Sequence, residues 1–227
     1  MSVTQTIGAA DRPLSTQIYE SLREAIIEGR IAPGTRLREQ ALADEFDVSR
    51  VPLREAIPQL EAEGFVHTLP RRGTVVTHLT MRDVNDLFDI RERLEVLAAR
   101  LSAQQAPQGD PAVLAQIEDC QRRARAALRL RSDSEVAATG AEFHALVVEL
   151  SGNALLRTMM RPINGRVRWV FRMTSARDPK VACRTHDRIF KAIRTGEVEL
   201  AEKLMFEHIA SGRQPSIDIL KGTIPDG

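Results

Sequence analysis

Apolar residues recur at helical spacing through most of the chain and alternate at strand spacing in only two short stretches. Ile18, Leu22, Ala25 and Ile26 mark an amphipathic helix that ends near Gly29, and Ala32-Pro33-Gly34 makes a turn. A second helix runs from Glu39 to Phe46 and packs through Leu42 and Phe46. A third spans 50–63, with Leu53, Ile57 and Leu60 facing inward and Gly64 as its stop. Phe65 to Thr68 and Thr74 to His78 read as strands around a basic tip, Leu69-Pro70-Arg71-Arg72-Gly73. Three helices and a β-hairpin predict a winged helix-turn-helix over 12–79, after a flexible arm at 1–11. From Thr80 strand signal all but disappears, and helices are predicted over 81–104, 111–130, 134–150, 154–175, 181–194 and 198–213. Thr80 with Asp83 forms a capping box, and Asp110 with Pro111 an N-cap and N1 pair. The fold class is therefore mainly α: a winged helix-turn-helix followed by an all-α antiparallel bundle over 80–214, with a frayed tail at 215–227.

The start of the third helix carries the first candidate chemistry. Ser49 is placed to cap it, with its hydroxyl accepting from a free backbone N–H, and Pro52 falls in the first turn, where no N–H is needed. Arg50 and Arg54 then stand one turn apart on one face, in reach of phosphates or the acceptor edge of guanine, while Leu53, Ile57 and Leu60 face inward. Bulk charge does not announce this role. The formal net charge is +1, and within residues 1–80 acids outnumber arginines and lysine is absent. The signal is local, in the pairs Arg36 with Arg38, Arg50 with Arg54, and Arg71 with Arg72. Cys120 and Cys183 lack CxxC spacing and are expected to be reduced and structural. No signal-peptide pattern or membrane-length apolar run is present, so no membrane association and a cytoplasmic location are expected.

Leu37-Arg38-Glu39-Gln40-Ala41-Leu42-Ala43, then Val48-Ser49-Arg50-Val51-Pro52-Leu53-Arg54-Glu55-Ala56-Ile57, then Leu60-Glu61-Ala62-Glu63-Gly64-Phe65-Val66 and Pro70-Arg71-Arg72-Gly73, resemble in order and spacing the DNA-binding domain of GntR-family transcriptional regulators. The later part resembles the helical effector domain (FCD) of the FadR-type subfamily. That likeness runs through Arg91-Glu92-Arg93-Leu94-Glu95, Phe143-His144, Ser151-Gly152-Asn153, His186 with Ala192-Ile193, and Gly196 through Ala201 to His208. The resemblance implies a homodimeric regulator, usually a repressor, that binds operator DNA and responds to a small metabolite, often a carboxylate. Its DNA-contacting positions fall on Arg36, Arg38, Gln40, Ser49, Arg50, Val51, Pro52, Arg54, Arg72 and Gly73. Pro58 departs from the pattern and is expected to kink the recognition helix at about 3 kcal/mol.

The resemblance also places metal-binding imidazoles at His144, His186 and His208, on three separate helices. Neutral imidazoles converging in a bundle suit zinc or nickel. The subfamily's fourth ligand, an aspartate four residues before the first histidine, corresponds to Gly140, and Glu142 points about 160° away around the helix. The three histidines either hold a divalent ion with open positions for water or a carboxylate, or line a metal-free organic cavity. Arg91 and Asn153 join the three histidines as effector-binding candidates, Arg91 as a bidentate carboxylate clamp. The Arg122, Arg123, Arg125, Arg129 and Arg131 run reads as a solvated face, and Trp169 with Met173 as core or cavity wall.

Two function classes follow. One is a ligand-responsive, sequence-specific DNA-binding regulator. The other is a zinc hydrolase carrying a DNA-binding head, with the same three histidines as ligands; it lacks HExxH and a placed general base. Catalytic residues are accordingly expected to be none.

Overall fold

The computed structural model describes residues 12–71, 73–105, 109–175 and 178–226, so the expected arm at 1–11 and the wing residue Arg72 lie outside them. The chain divides into two compact units, Met1–Leu79 and Thr80–Gly227.

The first unit runs α1 (Leu14–Ile27), β1 (Arg36–Leu37), α2 (Glu39–Phe46), α3 (Arg50–Ala62), β2 (Val66–Leu69) and β3 (Gly73–Val76). Ile18, Leu22 and Ile26 of α1 meet Leu53, Ala56 and Leu60 of α3, all essentially inaccessible, with Phe65 closing the core. Tyr19 donates to Glu63, whose other oxygen lies 3.2 Å from Arg23, so a buried polar cluster ties α1 to the end of α3. The hairpin is a three-stranded antiparallel sheet in the order β1-β3-β2, with Arg36 opposite Val75 and Leu69 opposite Gly73. β1 is two residues long, too short for alternation to show in the sequence. Asp47 ends α2 in the left-handed region. α3 runs through Pro58 to Ala62, where Pro58 leaves a helical carbonyl without its usual donor on an exposed face.

The described residues of the second unit form six helices: α4 (Met81–Gln105), α5 (Pro111–Leu130), α6 (Asp133–Leu150), α7 (Ala154–Met173), α8 (Pro179–Arg194) and α9 (Val198–Leu220). α4 packs along α9, α5 on α6, α6 on α7 and α8 on α9. Both caps read from the sequence form: Thr80 and Asp83 bond reciprocally at 2.9 and 3.1 Å, and Asp110 accepts from the Ala112 N–H at 2.8 Å. The frayed tail expected from 215 is instead helix to Leu220, because α9 continues through Pro215. The segment beyond it returns to α4, where Pro225 accepts from the Met81 N–H at 2.8 Å and Asp226 from the Arg82 N–H at 3.3 Å. These donors at the start of a helix have no partner within it. No described helix is long and apolar enough to cross a membrane.

Candidate functional site

The DNA-contacting candidates of the first unit gather at the starts of α2 and α3 and beside the sheet. Arg50, Ser49 and Val51 are exposed, and Val51 is 62% exposed, unusual for a large apolar side chain in a packed domain. Ser49 occupies the N-cap position with extended backbone but makes no cap hydrogen bond, so its hydroxyl stays available. Arg50, Arg36 and Arg38 form no ion pair among the described residues. Arg54 differs: its Nε donates to Glu39 Oε2 at 2.9 Å, which ties α3 to the start of α2. Gln40 bonds Asp44 one turn on. Arg36 lies against the wing, where a Cβ on Gly73 would meet its guanidinium at 3.4 Å; Gly73 has φ +77.

In the second unit three histidines from three helices meet. His186 Nε2 lies 3.0 Å from His208 Nε2, which lies 3.3 Å from His144 Nε2. Ring packing holds them, with His186 stacked on Phe143 at 4.2 Å between centroids. They sit at the floor of a cavity of about 500 Å³ that His186, His208 and Arg91 line directly, with His144 just behind. Arg91 is 2% exposed, with its guanidinium over the rings of Phe171 and Phe88 at 4.9 and 5.4 Å. Its Nε and Nη2 donate to the two oxygens of Glu95 at 2.7 and 3.2 Å, and Nη2 also lies 3.3 Å from His144 Nε2.

Glu95 is the residue that sequence reasoning missed. It is 1% exposed, and its Oε2 stands 2.7 Å from His144 Nδ1. Burial alone would raise its pKa; the Arg91 guanidinium and the His144 imidazole more than offset this and hold the carboxyl well below the usual range. A carboxylate beside Nδ1 places the proton there and leaves the Nε2 lone pair facing the cluster. The spacing of Arg91 and Glu95, four apart on one helix face, was the available signal.

The remaining candidates fall elsewhere. Asn153 does not line the cavity; its Oδ1 accepts from the Leu156 N–H at 3.0 Å and caps α7. Gly140 does line it, and a Cβ there would touch the Phe171 ring at 3.5 Å, so that ring fills the space beside the glycine. Glu142 is turned away into an ion pair with Arg123. The arginine run is more than a solvated face, since Arg123 joins α5 to Glu135 and Glu142 of α6, and Arg125 joins it to Asp187 of α8. Trp169 is core, 4% exposed, and not cavity wall.

Residues 14–76 match the gntR family of bacterial regulatory proteins, and residues 86–211 match the FCD domain. The HTH-type transcriptional regulator YdhC of Bacillus subtilis is 31% identical over 199 residues, covering 86% of this chain and 88% of that protein. The HTH-type transcriptional repressor RspR of Escherichia coli is 28% identical, covering 87% and 86%. A GntR transcriptional regulator from Rhodococcus sp. RHA1 superposes with a TM-score of 0.76 at 25% identity, over 91% of this chain and 97% of its own. Escherichia coli McbR/YncC reaches the same TM-score at 19% identity, over 93% of this chain and 99% of its own, a likeness of fold. The chain therefore belongs to the GntR family, with an FCD domain following its DNA-binding domain in sequence, and is a DNA-binding transcriptional regulator rather than an enzyme.

Proposed function

We propose that a small molecule held in the FCD cavity controls operator binding by the winged head, and that the protein acts as a cytoplasmic repressor. The observation that carries this is the convergence of three imidazoles and a buried guanidinium on one cavity floor. Such a floor suits an acid, which the Arg91 guanidinium can meet as a hydrogen-bond donor and which a metal held by the imidazoles can coordinate. The relative RspR is named a repressor, which supports the direction of control. On the DNA side, Arg50 is the foremost reader of guanine and Val51 suits a thymine methyl, with Arg36, Arg38, Gln40, Ser49, Pro52, Arg54, Arg72 and Gly73 positioning the head on the duplex. A homodimer placing two heads on a near-palindromic site is supported by apolar side chains left exposed on α4 (Ile90, Leu97) and α7 (Leu155, Met159).

The histidine cluster also fits a divalent ion. Tetrahedral coordination at a metal–nitrogen distance of about 2.0–2.1 Å puts ligand nitrogens roughly 3.3 Å apart, close to the 3.0 and 3.3 Å found here. His144, His186 and His208 would hold zinc or nickel, with Glu95 orienting His144. Bound there, the ion would act as a Lewis acid toward the effector's carboxylate.

Two measurements on the full chain test the reading. Duplexes selected from a random pool should release the protein when a member of a panel of small carboxylic acids is added, and Arg91→Met should abolish the release while sparing DNA affinity. Unchanged affinity across a panel of small acids, or release that survives Arg91→Met, would sink the effector assignment. Protein purified without chelator or a nickel column should carry about one zinc-type ion per chain, lost in His186→Ala. Metal-free protein that still responds to acids would mean that Arg91 and the histidines bind the effector unaided.

A further inference from the structure

The cavity lining changes sign along its length. Helices α6, α8 and α9 each supply one imidazole to the triad; α6 and α9 also bring Asp133 and Asp218 to the lining, and Asp178, the N-cap of α8, brings a third carboxylate. At a rise of about 1.5 Å per residue, each aspartate lies roughly 12–17 Å along its helix from that helix's histidine. Three helices thus place imidazoles at one level and carboxylates at another.

The carboxylates are at the solvent side. All three are exposed, and none forms an ion pair among the described residues, whereas Asp89, Asp119 and Asp187 each hold an arginine. Asp178 accepts from the Lys180 N–H at 2.9 Å and Asp218 from Gln214 at 2.8 Å, each through Oδ1, so Oδ2 remains open in both. No lysine is among the described lining residues, and Arg91 at the floor is their single arginine.

The floor has the opposite character. Arg91 spends Nε and Nη2 on Glu95 and His144. Its Nη1 has no hydrogen bond among the described residues, on a side chain 2% exposed that lines the cavity. A donor left over on the cavity lining is one that an acceptor on the occupant can take. The rest of the described lining is mainly apolar, with Val136, Ala137, Ile209 and Ile219, and carries hydroxyls at Thr174, Ser175, Thr185 and Ser211.

We infer that the effector is a linear dipolar molecule, and this rests on the reading of the cavity as the effector site. Its carboxylate meets Arg91 and the imidazoles, an apolar chain crosses the middle, and a protonated amine sits among Asp133, Asp178 and Asp218. Acids with a second carboxylate at the far end are disfavoured, since three unpaired like charges face them at the mouth.

Three probes of eight carbons each decide this: 8-aminooctanoate, octanoate and octanedioate, titrated calorimetrically into the full-length protein. The amino acid should bind about tenfold or more tighter than either of the others, a difference of about 1.4 kcal/mol. In the combined variant Asp133→Asn, Asp178→Asn, Asp218→Asn the preference should shrink to about twofold while octanoate binding holds; asparagine retains the helix cap at 178. Asp218→Lys, at an exposed position, should shift the ranking toward octanedioate. Equal or tighter binding of octanedioate by the parent, or a ranking unmoved by either variant, overturns the dipolar assignment and leaves the cavity an effector site of another kind. Aspartate variants that change zinc uptake alone overturn it equally. Failure of the effector reading itself looks different: none of the three binds at about 10 mM, beyond the millimolar range of weak ligands, and none alters duplex affinity.

Discussion

Arg50 and Arg54 stand one turn apart on α3, yet only Arg54 is held, by Glu39. Arg50→Ala should cost about 1–3 kcal/mol on a selected duplex and much less on a scrambled one, measured by fluorescence anisotropy at fixed salt. Equal loss on both duplexes would make Arg50 a phosphate contact. Glu95 makes a different prediction. Glu95→Gln strips the counter-charge from a guanidinium that is 2% exposed, and should lower unfolding free energy by about 3–5 kcal/mol in urea titrations. A loss under about 1 kcal/mol would show that Arg91 is not dependent on it. Cys120 donates to Thr139 O, and burial pushes its thiol up from 9.0 to about 12. A raised folded pKa favours the protonated form, so the stability it contributes is complete below pH 9 and drains away as pH climbs toward 12. Cys120→Ala should flatten that alkaline limb of the stability curve. At this scale the sequence exposed the histidines and Arg91 through motif position. It hid Glu95, because a glutamate beside arginines on a helix looks the same whether it faces solvent or core.

Helices were legible where caps and period agreed. α2 and α5 fall on their predicted limits because Asp110-Pro111 starts one, and a compact apolar pattern defines the other. Elements governed by tertiary contact were less so. β1 exists only because Arg36 and Leu37 pair with Val75 and Thr74, and α9 outlasts Pro215 because Leu220, 1% exposed, is drawn into the core. The exposed Pro58 leaves room to test how much α3 gives up for it. Pro58→Ala should restore one backbone hydrogen bond and stabilise the chain by up to about 3 kcal/mol. A destabilised Pro58→Ala would mean that α3 is adapted to the ring.

On the scale of the whole molecule, net charge of +1 conceals a head that meets a polyanion and a cavity divided between donors and acids. Neither separation could be read from composition, since each depends on which helices come together. Operator affinity should fall steeply with salt, log K against log salt having a slope of about −0.9 per phosphate neutralised; a flat line would argue against a head that docks through arginines. The end of α9 gives the bundle a further property. One helix carries His208 at its middle and, through Pro225 and Asp226 beyond its end, clasps the first amide groups of α4, immediately after Thr80. An occupant that shifts α9 therefore loosens or tightens a clasp at the residues where the FCD unit begins. Those two amides become a native reporter: hydrogen exchange at Met81 and Arg82 should change on ligand addition in a protein whose other helix interiors stay protected.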